Sequence, residues 1–156
     1  MNYVMHEYEV AHAVAEGVYV VPMSVLAEYI EPFWDWVPWE CETFSKDDVI
    51  NLPGGMECDA PYDDPRVRDN VVGDTAYHIA RVAYLFRYWE SEEEFDAEHR
   101  PTFSPSSVHN GVHPLLDGNH RYAAALVRGD KLFMLDVDGD IDEAEAMFGM
   151  TSEISV

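Results

Sequence analysis

Residues 114–129, Pro-Leu-Leu-Asp-Gly-Asn-His-Arg-Tyr-Ala-Ala-Ala-Leu-Val-Arg-Gly, constrain the fold more than any other stretch of the chain. Short apolar residues end at the Asp117-Gly118 turn, and an alanine-rich helix begins at once. A strand–turn–helix order aims the helix's opening N–H groups, and the positive end of its dipole, at the strand end. Such a corner suits an anion, because backbone N–H groups and the guanidinium of Arg121 can hold a phosphate. His120 adds a titratable group, and Asp117 offers an N-cap carboxylate or a metal ligand.

Asp117-Gly118-Asn119-His120-Arg121-Tyr122-Ala123-Ala124-Ala125, followed by Gly129 and a strand over Lys131 to Asp138, resembles the signature of the ParB/sulfiredoxin superfamily. Members carry Gly-x-x-Arg at this turn: Gly-Glu-Arg-Arg in partition proteins, Gly-Cys-His-Arg in sulfiredoxins, Asp-Gly-His-His-Arg in free-serine kinases. Gly118, His120 and Arg121 match, and the resemblance extends over roughly Val108 to Asp138. It implies an α/β fold, α+β in detail, with a small mixed sheet and flanking helices, over a single domain spanning 1–156. It also implies nucleotide phosphates held by Gly118, Asn119, His120 and Arg121, with ATP or another nucleotide and Mg²⁺ as cofactors. The catalytic residues it suggests are His120, Asp117 and an acidic residue just past the opening strand, where Glu28 and Glu31 both stand and Glu31 is the candidate taken. Asn119 stands where sulfiredoxins place their nucleophilic cysteine, so sulfinic-acid reduction is not expected, and neither Cys41 nor Cys58 is expected to be catalytic.

Charge separates function classes. Asp and Glu total 31 against 9 Lys and Arg, a net charge of -22. Such a surface repels nucleic acid and anionic membranes, while a small basic pocket can still take a nucleotide. The excess is explained either by solubility at high salt or by imitation of DNA's charge. The 47% hydrophobic and 13% aromatic content predicts a packed core rather than a disordered chain. The opening Met1–Glu7 has neither a basic nor an apolar signal region, and no apolar run reaches membrane length. These features predict a cytoplasmic protein (host cytoplasm for a phage protein) with reduced thiols and no membrane partner.

Along the chain, residues 1–16 read as an N-terminal extension, either a short strand or a helix packing on the domain edge. Val18–Val21 form a β-branched strand closed by Pro22, after which Ser24 is expected to cap a short helical turn through Ile30. The proline-bounded Pro32–Trp39 holds Trp34, Trp36 and Trp39. It is either an ordered loop closing the core or an aromatic wall for a nucleobase or partner. Residues 45–72 read as a long irregular loop, with Gly54-Gly55 lacking the Lys-[Ser/Thr] of a phosphate loop. Its Asp59, Asp63 and Asp64 read as solvated surface. The clearest helix opens at Asp74-Thr75, with Ala76, Ile79, Ala80, Ala83 and Phe86 at helical spacing. Asn110-Gly111 predicts a tight hairpin between Pro101–Ser104 and Val112–Leu116. Asp136, Asp138 and Asp140 alternate along an extended segment and read as a solvent-facing rim or an Mg²⁺ site. His99, His109 and His113 read as surface residues, and a short helix is expected over Ala144–Phe148.

The expected function is nucleotide binding with phosphoryl-transfer chemistry, as an ATPase or small-molecule kinase. The protein would position phosphates while a carboxylate orients the acceptor hydroxyl or water. The alternative is a non-catalytic interaction protein, viral in origin, whose acidic face blocks or mimics DNA at a DNA-binding partner. A ParB-like nuclease is the third reading, disfavoured by the charge.

Overall fold

The computed structural model describes residues 10–52, 73–88 and 100–150. These fall into two compact bodies. One comprises residues 10–30, 100–119 and 130–150, and the other residues 31–52, 73–88 and 120–129.

The first body is built on a five-stranded mixed sheet. Its strands are β1 (His12–Ala15), β2 (Val18–Pro22), β3 (Thr102–Phe103), β4 (Leu115–Asp117) and β5 (Leu132–Val137), in the order β1-β2-β5-β3-β4. Neighbours are antiparallel except β3 and β5, which run parallel. The longest register joins Val18 to Asp136 through Pro22 to Leu132. Pro22 closes β2 because its ring removes a ladder donor. The helix α1 (Met23–Leu26) follows directly, with Pro22 rather than Ser24 at its N-cap position. Ser24 is the cap expected from the sequence, but Met23 N–H already donates to Lys131 O, and the helix starts two residues earlier, directly at the end of the β2–β5 ladder.

Where a two-residue hairpin is expected, the helix α4 (Pro105–His109) intervenes between β3 and β4. Ser104 caps it by accepting from Ser107 N–H, and Pro105 occupies the first turn with its φ preset for a helix. Gly111, at φ +72°, then serves as the exit from that helix. The strands on either side are still antiparallel. The helix α6 (Ile141–Met147) is capped by Asp140, whose Oδ1 accepts from Glu143 N–H at 3.2 Å. Tyr29 donates to Met147 O at 3.2 Å, and Phe148 packs 5.2 Å from Phe103 and 5.9 Å from Tyr19. Tyr19, Phe103, Phe133, Leu115 and Leu135 are buried in this core.

The second body holds α2 (Lys46–Ile50), α3 (Thr75–Tyr88) and α5 (Asn119–Arg128), whose first residue belongs to the sheet body. The expected irregular stretch from residue 45 begins instead with α2. Ser45 accepts from Asp48 N–H while Asp48 accepts from Ser45 N–H, a capping box that starts a helix despite weak periodicity. Residues 53–72, with Cys58, Asp59, Asp63 and Asp64, lie outside the described residues, as does His99. Helix α3 begins where the sequence places it, with Asp74 accepting from Tyr77 N–H. Its buried stripe is rotated from the expected one, to His78, Val82 and Leu85 with Ala80 and Ala83. The C-terminal carbonyls of α3 receive the Arg128 guanidinium, which donates to Phe86 O at 3.0 Å and Leu85 O at 3.3 Å, while Arg87 ties the helix to Leu52 O at 2.8 Å. Cations at a helix C-terminus are favoured by its dipole.

Candidate functional site

At the turn that the sequence singles out, β4 ends at the exposed Asp117 and α5 starts two residues later. Gly118 sits at φ +84°, a conformation that L side chains rarely adopt. A Cβ there would also stand 2.5 Å from the Pro101 Cβ and 2.8 Å from its Cα, so no larger residue fits. Asp117 Oδ1 accepts from Gly118 N–H at 2.8 Å. Asn119 commits both ends of its amide to the first body. Its Oδ1 accepts from His113 Nε2–H at 2.6 Å, and its Nδ2 donates to Leu115 O at 2.9 Å. His113 is therefore half-buried and fastened to the helix start, not a surface residue.

His120 and Arg121 continue the first turn of α5. Arg121 is half-buried and His120 is buried, 7% exposed. The His120 Nε2 lies 2.9 Å from His78 Nδ1 on α3, itself fully buried. Both imidazoles lie against the indole of Trp39, at centroid distances of 4.1 Å for His120 and 4.7 Å for His78, with planes within 10° and 7°. The imidazole centroids are 5.1 Å apart, too close for the two rings to sandwich the indole, so both share one of its faces. Burial holds the His120 imidazolium well below the usual histidine range, and the positive charges of His78, when protonated, and Arg81 push the same way.

Trp39 is held from outside the cluster: its carbonyl accepts from Gly73 N–H at 2.8 Å. Glu40, directly after it, takes the left-handed φ of 56° to turn the chain away. Beyond Trp39 the aromatic contacts continue to Phe44 at 6.4 Å, then Phe33 at 5.0 Å, and end at Trp34 at 5.1 Å. The Trp segment divides between core and surface. Trp39 is buried in the core, while Trp34 and Trp36 are 39% and 43% exposed.

The remaining sequence candidates are placed separately. Glu31 is exposed and, among the described residues, its side chain makes no hydrogen bond or ion pair. Asp136 pairs with Arg100 at 3.0 Å and Asp140 caps α6, so two of the three alternating carboxylates have structural partners. Among the described residues no three His, Cys, Asp or Glu side chains converge on a metal position. Burial pushes the Cys41 thiol up, away from the reactive thiolate. No helix among the described residues is long and apolar enough to cross a membrane.

No protein-family model, curated protein or solved structure matches the chain. The small mixed sheet with flanking helices is of the α+β class.

Sequence reasoning missed Trp39 and His78 as partners of His120. One signal was present: His78 stands at i, i+4 and i+7 with Val82 and Leu85, the spacing of a buried stripe. A histidine inside such a stripe must find a polar partner or stay neutral.

Proposed function

We propose that the turn from Asp117 to Arg121 binds a phosphate group of a nucleotide, and that the chain is a nucleotide-dependent phosphotransferase or hydrolase. The observation that carries this reading is Gly118. Its left-handed backbone, pressed against Pro101, opens a ten-residue helix at the residue after it. The first turn of such a helix favours an anion through its N–H groups and dipole. Arg121 adds a forked, permanently charged donor in that turn.

The other residues divide the work. Asn119, with both amide ends engaged, fixes the start of the helix rather than touching phosphate. His120 is buried and neutral and props the helix against Trp39 and His78; it is not a proton carrier in this reading. Asp117, the exposed carboxylate of the turn, orients the acceptor hydroxyl or water. Mg²⁺, which neutralises phosphate charge in such reactions, would arrive with the nucleotide and be held largely by its phosphates and water.

A thermal-shift screen of ATP, ADP, CTP and GTP, each with Mg²⁺, tests the reading. A ligand that binds only the folded protein raises its melting temperature. A rise for at least one nucleotide is expected, and none for the matching nucleoside. Identical melting curves with all four nucleotides would overturn the proposal.

A further inference from the structure

The second body carries an exposed aromatic crest that the phosphate reading does not use. Residues 33–36 form a tight turn in which Asp35 N–H and Trp36 N–H both donate to Pro32 O, at 2.9 and 3.1 Å. The turn presents Trp34, Asp35 and Trp36 together on the surface. Trp34 is backed edge-on by Phe33, 5.1 Å away, so its indole is braced from within the body. The opening residue of α2 reaches the same ring: the Lys46 Nζ lies 5.1 Å from the Trp34 centroid. The Trp34 ring therefore already receives a cation from its own chain.

The surrounding charge is of one sign. Between residues 31 and 48, Glu31, Asp35, Glu40, Glu42, Asp47 and Asp48 are all exposed, and Lys46 is the single cationic side chain. A neutral apolar partner on this crest would have to desolvate carboxylates without pairing them, which is costly. Nucleic acid and anionic lipid are repelled by the same charges. A cationic side chain meets both demands at once, with its charge paired by carboxylate and its flat or methylene surface laid on an indole.

We propose that the Trp34-Asp35-Trp36 crest, with the start of α2, is a docking surface for an arginine- or lysine-rich segment of a partner protein, with one cationic side chain displacing Lys46 from Trp34. This surface is independent of the nucleotide reading.

The test is fluorescence anisotropy of a labelled ten-residue peptide of alternating Arg and Gly, titrated with the full chain at about physiological ionic strength, where long-range attraction is screened. Saturable binding is expected, with none for the peptide in which Ser replaces Arg. Trp34→Ala/Trp36→Ala leaves net charge unchanged and should weaken binding about tenfold. Asp35→Asn/Asp47→Asn should also weaken it. Asp138→Asn/Asp142→Asn, which removes the same charge from the sheet body, should change it less than twofold. Lys46→Gln should tighten binding, and more than Lys131→Gln does. Should the tryptophan variant fail to fold, the two carboxylate pairs and the two lysine variants decide alone. Equal effects of the two carboxylate pairs, or unchanged affinity in a folded Trp34→Ala/Trp36→Ala protein, would reduce the interaction to diffuse attraction and overturn the proposal.

Discussion

His78 Nδ1 and His120 Nε2 are 2.9 Å apart with both rings laid on one face of Trp39. One nitrogen must donate and the other accept, so the pair is satisfied only when at least one ring is neutral. With His120 held well below its ordinary range, the folded protein withholds a proton that the unfolded chain takes up.

The sign of the pH dependence follows. Above about pH 6.5, the ordinary histidine value, both states leave His120 neutral and its contribution to stability is fully present. As pH falls below that value the unfolded chain binds the extra proton first, and stability is lost until the depressed folded-state value is reached. The slope is at most about 1.4 kcal/mol per pH unit for one withheld proton. Falling pH also relieves repulsion among the 31 acidic residues, so the comparison must be differential. His120→Gln, which keeps a hydrogen-bonding group beside His78 without titrating, should lose less stability than the parent between pH 7 and pH 5 in urea melts. Parallel stability–pH curves for the two proteins would contradict this account.

Gly118 is expected to be intolerant for reasons of fold before any question of ligand. Gly118→Ala combines a left-handed backbone penalty of roughly 1–2 kcal/mol with a Cβ 2.5 Å from Pro101. Because the Pro101 Cα is only 2.8 Å from that Cβ, backbone must move to relieve the clash. The total loss should be about 2–4 kcal/mol, read as a lower urea midpoint. Pro101→Ala removes the ring contact and should restore part of the loss in the double variant. If Gly118→Ala matches the parent in urea, the close approach does not exist in solution.

How much of this was legible in the sequence depended on whether the signal was local. The turn at Gly118, the start of α3 at Asp74 and the strand ending at Pro22 are written in neighbouring residues, and the structure carries each of them. Asn110-Gly111 reads as a hairpin because that pair serves helix ends and tight turns alike, whereas Ser104-Pro105 just before α4 is the stronger signal. The capping box at Ser45 is equally local but is obscured by the Gly and Pro punctuation downstream. His78, Trp39 and His120 were not legible as a group. Their positions are joined only by tertiary packing across 81 intervening steps of chain, from 39 to 120, and no spacing rule spans that.

Tyr19 gives an alkaline counterpart to the histidine pair. Its buried phenol donates to Glu145 Oε2 at 2.6 Å, and burial, reinforced by the Glu145 carboxylate, pushes its pKa up to about 12. A raised value means the folded state holds its proton longer than the unfolded chain. The contribution is therefore full below about pH 10 and lost as pH rises from there toward 12. Tyr19→Phe should cost about 1.5–3 kcal/mol at pH 8, the worth of a hydrogen bond to a charged acceptor. It should also show a shallower loss of stability between pH 10 and 12 than the parent. Ultraviolet titration checks the origin directly: the variant should lack one of the late-ionising phenols.

Replacement of Arg121 probes the phosphate cradle most directly. In the proposed complex its guanidinium makes a charge-assisted contact, worth roughly 1.5–3 kcal/mol. Arg121→Ala should then weaken nucleotide binding by about ten- to a hundredfold, since each 1.4 kcal/mol is a factor of ten. Arg121→Lys should recover only part, because an ammonium cannot reproduce the planar fork. Arg121 is half-buried and engaged with its surroundings, so stability must be measured beside affinity. A large fall in the ligand-free melting temperature of Arg121→Ala, with nucleotide affinity preserved, would make it a brace of α5 and not a ligand. Weakened affinity in a variant that melts with the parent would tie the Gly118 turn to phosphate through the one side chain there that carries a permanent positive charge.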